Sequence, residues 1–158
     1  MLVLDFDGTV CLGDGPIWSY AEAAIAALLP QHAEAGESLR AELARFLAAE
    51  HGPEAPGRYS DGYAAVASLA AAHLDPVSLA EAYYSSRAAL ARGEVDVVAA
   101  AGIAELLTHL RGRARRVLVT NAPALGLDAV MQRLGLAGCF DDVIGDADKP
   151  TGWSTLLP

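Results

Sequence analysis

Basic residues are scarce in this sequence. Lys and Arg number 11 against 20 Asp and Glu, which gives a formal net charge of −9 at pH 7. A nucleic-acid binder needs basic surface to neutralise the phosphate backbone, so this composition argues against that class of protein. It does not exclude a small phosphorylated molecule, because a few local groups can hold one phosphate.

Signals for export, for membrane insertion and for a metal cluster are also missing. No basic residue precedes the first apolar stretch, and Asp5 interrupts that stretch at once, so we expect neither a signal peptide nor a membrane anchor. The alanine-rich segment 64–72 holds too few strongly apolar residues to span a bilayer. Cys11 and Cys139 are far apart and match no metal-ligand spacing, so we expect buried free thiols in a cytoplasmic protein.

The chain is long enough for one core that carries an insertion. It has 158 residues, of which 53% are hydrophobic, and a typical domain contains about 100–200 residues. Short apolar runs predict strands at three places, namely 2–6, 115–121 and 142–146. Apolar residues at helical spacing predict helices over 17–29, 37–50, 61–73, 76–92, 100–111 and 124–134. Prolines and glycines predict a loop at 51–60.

Strands that alternate with helices predict an α/β fold. Apolar parallel strands covered by helices form a Rossmann-like core of three layers. The segment 14–97 carries no strand signal and predicts an all-helical insertion, which leaves residues 1–13 and 98–158 for the core. No glycine-rich G-x-G-x-x-G follows the first strand, which argues against a nucleotide-binding Rossmann domain.

Polar residues follow each of the three predicted strands. Asp5 and Asp7 follow the first, Thr120 and Asn121 end the second, and Lys149 follows the third. Because ligands bind at the carboxyl ends of parallel strands, we expect these side chains at one edge of the sheet. Two carboxylates for attack and proton transfer, with a hydroxyl and an ammonium group to hold oxygens, suit phosphoryl transfer. Two acids repel a phosphate, so the site also predicts a divalent cation such as Mg²⁺.

Three segments resemble motifs of the haloacid dehalogenase (HAD) superfamily in its phosphatase form. Asp5-Phe6-Asp7-Gly8-Thr9-Val10 resembles the first motif, Val117-Leu118-Val119-Thr120-Asn121 the second, and Lys149-Pro150 the third. The order of the motifs, and a helical insertion directly after the first, match the type with a helical C1 cap. The resemblance covers nearly the whole chain and implies a HAD-like core with a cap at 14–97.

The resemblance also implies roles for individual residues. Asp5 would be the nucleophile that forms an aspartyl-phosphate, and Asp7 would be the general acid and base. A side-chain oxygen of Asp5 and the backbone carbonyl of Asp7 would bind Mg²⁺. The residues implied to bind the phosphoryl group are Gly8, Thr9, Thr120, Asn121 and Lys149. Dehalogenases of this superfamily generally lack the second acid, so Asp7 favours hydrolysis of a small phosphorylated metabolite.

The last residues depart from the family pattern. The superfamily normally completes its Mg²⁺ site with acids on a strand beyond the lysine, but none of Thr151–Pro158 is acidic. We therefore expect a core that is incomplete at its C-terminus, and a non-catalytic remnant that binds phosphate or a protein partner stays an alternative to the hydrolase. Phosphatase and phosphomutase chemistry both stay open, as does the oligomeric state. A solvated acidic turn is expected from Asp141, Asp142, Asp146 and Asp148.

Overall fold

The structure is a computed structural model that describes residues 1–29, 32–50 and 59–151. The chain divides into two compact units, Met1–Gly13 with Arg87–Pro158, and Asp14–Ser86. We call the first the core unit and the second the helical unit. The division after Ser86 falls within a helix, whereas the sequence placed the end of the insertion at residue 97. Residues 51–58 of the predicted loop lie outside the described residues.

Each predicted strand and helix occurs, usually with shorter bounds. The strands are β1 (Leu2–Leu4), β2 (Cys11–Leu12), β3 (Val98–Ala99), β4 (Arg116–Val119) and β5 (Asp142–Ile144). The helices are α1 (Gly15–Ala26), α2 (Ala33–Glu50), α3 (Gly62–Ala70), α4 (Pro76–Arg92), α5 (Ile103–His109) and α6 (Leu127–Arg133). The described residues of the helical unit contain no strand. None of the described helices is both long and apolar enough to cross a bilayer.

A parallel sheet in the order β1-β4-β5 confirms the predicted α/β class. Leu4 of β1 pairs with Leu118 of β4, and Val119 of β4 pairs with Ile144 of β5. The three strands therefore end at the same edge of the sheet. β4 lies between the other two and is buried along its whole length, as expected for a strand with neighbours on both sides.

A short antiparallel ribbon, which the sequence did not predict, joins the chain on either side of the helical insertion. Cys11 of β2 pairs with Ala99 of β3, and Leu12 pairs with Val98. Each strand has 2 residues, which is too short to show an alternating pattern in the sequence.

Each unit has its own hydrophobic core. In the core unit, Leu118 of the central strand packs in a cluster with Leu90 of α4, Leu107 of α5 and Met131 of α6. The neighbouring residue Val117 belongs to a different cluster, because successive strand residues face opposite sides of a sheet. Since Leu90 lies near the end of α4, the last turns of that helix belong to the core unit.

A buried arginine fixes the start of the central strand. The Arg116 side chain is 4% exposed, and its guanidinium donates to both carboxylate oxygens of Asp141, at 2.6 and 3.0 Å, and to the carbonyl of Leu107, at 3.0 Å. Asp141 also accepts the Arg116 backbone N–H at 2.8 Å. Asp141 is 41% exposed, as expected for a solvated turn, but the sequence did not predict its partner, the buried guanidinium of Arg116, which needs a carboxylate.

This ion pair predicts acid sensitivity of the core unit. The hydrogen bonds from Arg116 lower the pKa of Asp141 from 3.8 to about 2. A carboxyl group whose pKa is lower in the folded state stabilises the fold above its unfolded pKa and loses that contribution as it becomes protonated. Thermal unfolding of the wild type should therefore show a midpoint that falls as the pH drops from about 4 to about 2.

An Asp141→Asn variant tests this prediction, because it removes the titrating group and keeps the side-chain volume. We expect its unfolding midpoint to be lower than that of the wild type at pH 5 and to depend less on pH below 4. Asp128→Asn, which changes an exposed carboxylate of α6, is the matched control. Parallel pH curves for the wild type and Asp141→Asn would contradict the prediction.

Candidate active site

The turn after β1 presents the two carboxylates of the first motif. Phe6 is fully buried, and its carbonyl accepts the N–H of Cys11 at 2.9 Å, which closes the turn. Gly8 has a φ of 74°, a left-handed conformation that glycine adopts without steric cost. The side chains of Asp5 and Asp7 are 47% and 28% exposed, so both carboxylates are accessible to solvent.

Lys149 brings the carboxyl ends of the three parallel strands together. Its Nζ lies 2.7 Å from Oδ1 of Asp5, just after β1, and donates to the carbonyl of Val119 at the end of β4 at 3.0 Å. The lysine follows β5, and its side chain is 14% exposed. The structure thus places Asp5 and Lys149 in direct contact, at the edge of the sheet where the sequence predicted them.

Asn121 holds the backbone of Lys149 in place. Its side-chain Oδ1 accepts the Lys149 N–H at 2.6 Å, and its Nδ2 donates to the Lys149 carbonyl at 3.1 Å. The two hydrogen bonds fix the backbone from which the ammonium group reaches Asp5. The phosphoryl contact that the resemblance implies for Asn121 would come from backbone N–H groups near it, so these side-chain hydrogen bonds leave it a prediction.

The other predicted phosphoryl-binding residues have partners inside the protein. Thr120 is buried, and its Oγ1 accepts the N–H of Ala122 at 3.0 Å. The N–H groups of Gly8 and Thr9 donate to carbonyls of their own turn, at 2.9 and 3.3 Å. The phosphoryl contacts of these residues stay predictions.

Gly145 and Asp146 join the segment after β5 to the loop after β4. A carboxylate oxygen of Asp146 accepts the N–H of Ala124 at 2.9 Å, and the Asp146 N–H donates to the Ala122 carbonyl at 2.8 Å. A Cβ atom on Gly145 would lie 2.6 Å from the Cα of Ala124, so the close approach requires glycine. Asp146 is exposed, as expected for a solvated turn, and its side chain also joins two loops.

A further charged residue at the site, Arg87 on α4, was not predicted from the sequence. Its guanidinium Nη1 donates to Oδ1 of Asp7 at 3.0 Å, and its side chain is 7% exposed. The two residues are separated by 80 positions in the sequence. A single arginine within a helix has no local pattern that predicts such a contact.

Both cysteines are free, as expected, and Cys11 lies beside the site. Burial and the nearby Asp7 carboxylate raise the pKa of the Cys11 thiol to about 11, although Arg87 opposes the shift. The thiol is therefore protonated at neutral pH and is a poor nucleophile. The buried state predicted for Cys11 is confirmed, while Cys139 is only partly buried.

A family comparison agrees with the motifs and the fold. The profile of the haloacid dehalogenase-like hydrolases matches residues 2–154, nearly the whole chain. The chain belongs to this family. Comparison with the curated proteins gave no match.

Several solved structures resemble this HAD-family chain. An L-2-haloacid dehalogenase from Xanthobacter autotrophicus is 21% identical, with a TM-score of 0.40, over 91% of this chain and 55% of that one. A predicted phosphoglycolate phosphatase from Haemophilus somnus is 14% identical, with a TM-score of 0.53, over 95% and 64%. A haloacid dehalogenase-like hydrolase from Xanthomonas campestris is 17% identical, with a TM-score of 0.47, over 99% and 66%. The Haemophilus structure shows the shared fold, and this chain spans 55% to 66% of the three proteins.

The candidate site of this HAD-family chain suits a magnesium ion. The described residues hold no group of three or more His, Cys, Asp or Glu side chains that could bind a metal ion. Mg²⁺ does not require such a group, because proteins usually hold it through one or two carboxylates, with water and substrate phosphate as the other ligands. Asp5 and Asp7, whose carboxylates are accessible, provide oxygen atoms of this kind.

Proposed function

We propose that this HAD-family hydrolase is a Mg²⁺-dependent phosphatase that acts on a small phosphorylated metabolite. The contact between Asp5 and Lys149 at 2.7 Å, next to a second carboxylate at Asp7, carries the proposal. Asp5 offers a nucleophile, and the ammonium group beside it can hold an oxygen of the phosphoryl group. Asp7 favours phosphate over halogen chemistry, since the resemblance implies that dehalogenases generally lack this acid.

The proposed reaction has two steps, each with one proton transfer. A carboxylate oxygen of Asp5 attacks phosphorus, the bond to the leaving oxygen breaks, and protonated Asp7 donates its proton to that oxygen. Water then attacks phosphorus, Asp7 accepts its proton, and the bond between phosphorus and Asp5 breaks. Phosphate leaves, and both carboxyl groups regain their first protonation states. Lys149 and Thr120 hold the phosphoryl oxygens during both steps.

The metal ion would be held by a carboxylate oxygen of Asp5 and the backbone carbonyl of Asp7. When bound, it supplies positive charge that offsets the repulsion between the two acids and the phosphate.

The proposal includes a small-molecule substrate, no nucleic acid or membrane partner, and a cytoplasmic location. The net charge of −9 supports the exclusion of nucleic acid. Free thiols at both cysteines suit a reducing compartment.

A comparison of two substrate classes tests this function. The purified chain is assayed with p-nitrophenyl phosphate and with 2-chloropropionate, each in the presence of Mg²⁺ and after its removal by a chelator. We expect phosphate release with Mg²⁺, a loss of at least about tenfold after chelation, and recovery when Mg²⁺ is added back. No chloride release is expected.

Two other outcomes would contradict the proposal in different ways. Chloride release without phosphate release would assign halogen chemistry to the site. Binding of inorganic phosphate without turnover of either compound would favour the non-catalytic alternative.

A further inference from the structure

We propose that Arg87 is a positioning residue that holds the Asp7 carboxylate in place for proton transfer to the leaving oxygen. The inference rests on the proposed phosphatase function and adds to it a residue outside the three sequence motifs. It depends on the contact between the Arg87 guanidinium and Oδ1 of Asp7 at 3.0 Å, within the core unit.

The surroundings of Arg87 restrict its side chain. Only 7% of the side chain is exposed, and the guanidinium carbon lies 5.9 Å from the centre of the Phe6 ring. An arginine over an aromatic ring gains a favourable cation–π interaction, and a buried guanidinium needs a hydrogen-bond acceptor, which Oδ1 of Asp7 provides. Phe6 lies between Asp5 and Asp7 in the sequence. Arg87 therefore contacts this turn at two places, the Phe6 ring and the Asp7 carboxylate.

The chemistry of arginine suits a positioning role. Its guanidinium stays protonated in proteins and is planar, with N–H donors in fixed directions. The guanidinium cannot transfer the proton that the leaving oxygen needs. Its hydrogen bond can, however, restrict the rotation of the carboxylate that accepts it. A general acid is effective only within hydrogen-bond reach of the oxygen that it protonates, so a fixed carboxylate is an advantage.

The two carboxylates of the turn have separate cationic partners. Lys149 lies 2.7 Å from Asp5, and Arg87 lies 3.0 Å from Asp7. The lysine contacts the proposed nucleophile, where phosphoryl oxygens would gather, while the arginine contacts the proposed acid. This division assigns charge stabilisation to one cation and orientation of the acid to the other.

Leaving-group dependence separates positioning from general destabilisation. p-Nitrophenolate leaves without help from an acid, whereas the alkoxide of glycerol phosphate needs a proton. For Arg87→Met we expect kcat/KM to fall by about tenfold or more with glycerol phosphate and by less than about threefold with p-nitrophenyl phosphate. Arg87→Lys keeps the charge and should recover part of the loss. Equal losses with both substrates would overturn the proposal.

Arg92→Met is the matched control, since it removes an arginine from the same helix whose side chain is 58% exposed and pairs with Glu94. We expect this variant to keep the wild-type ratio between the two substrates. Thermal unfolding of each variant shows whether it is folded under the conditions of the assay, and Arg87→Lys provides the measurement if Arg87→Met does not fold.

A crystallographic comparison of the wild type with Arg87→Lys and Arg87→Met separates this inference from the proposed function. We expect one Asp7 rotamer in the wild type and several, or a different one, in Arg87→Met. If the wild type and Asp5→Asn hydrolyse both substrates equally, the proposed function fails, and the rotamers still decide whether Arg87 positions Asp7. An unchanged Asp7 rotamer in Arg87→Met would overturn the positioning role.

Discussion

An Asp5→Asn variant is expected to hydrolyse p-nitrophenyl phosphate at least about a thousandfold more slowly than the wild type. The amide that replaces the carboxylate carries no negative charge and is a very weak nucleophile. The contact with Lys149 at 2.7 Å shows that the Asp5 side chain adjoins the cation expected to hold the phosphoryl group. A steady-state assay of phosphate release measures the effect.

The substitution should leave the fold intact. Asn has nearly the volume of Asp, and the Asp5 side chain is 47% exposed. We expect far-ultraviolet circular dichroism and the unfolding midpoint of the variant to stay close to those of the wild type. Asp128→Asn, the exposed carboxylate of α6, should retain full activity. Equal rates for Asp5→Asn and the wild type would remove Asp5 from the mechanism.

An Asp7→Asn variant is expected to show the second largest effect, and its size should depend on the substrate. With glycerol phosphate, whose leaving oxygen needs a proton, kcat/KM should fall about a hundredfold to ten-thousandfold, the usual contribution of a general acid. With p-nitrophenyl phosphate the loss of kcat/KM should be much smaller. The assay compares both substrates at a pH at which the wild type is active.

The substrate dependence of Asp7→Asn also tests whether Asp7 acts as a general acid or only helps to bind substrate. If Asp7 only helped to bind substrate, the variant would show a raised KM with little change in kcat for both compounds. Equal losses of kcat/KM with the two phosphate esters would contradict a role in protonating the leaving oxygen.

The sequence was sufficient to predict the parallel sheet and the meeting of Asp5 with Lys149 at its edge. Apolar runs that end in polar residues located β1, β4 and β5. Because parallel strands end at one edge, Asp5 and Lys149 could be expected to meet there, and they do. Both conclusions depend on periodicity and strand direction, which local sequence encodes.

Contacts between distant segments could not be predicted in the same way. The pairing of Arg87 with Asp7 depends on the path of α4 along the core unit, which no local pattern specifies. The acidic residues after α6 show the same limit. Asp141 and Asp146 look like turn residues in the sequence, whereas one pairs with a buried arginine and the other joins two loops.

The Asn121 contact with Lys149 illustrates a third limit. Sequence motifs indicate which residues belong to a site, but they do not divide those residues between substrate contacts and contacts within the protein. Asn121 uses both ends of its amide to hold the Lys149 backbone. Its contribution to the reaction is therefore expected to pass through the lysine.

Trapping of a phosphorylated enzyme tests the central claim most directly. The wild type and Asp5→Asn are mixed with a radiolabelled phosphomonoester and Mg²⁺, quenched in acid during turnover, digested and analysed by mass spectrometry. We predict label on the peptide that contains Asp5 in the wild type and none on the variant. Phosphate release by the wild type with no labelled protein, or with label on another residue, would contradict an aspartyl-phosphate at Asp5.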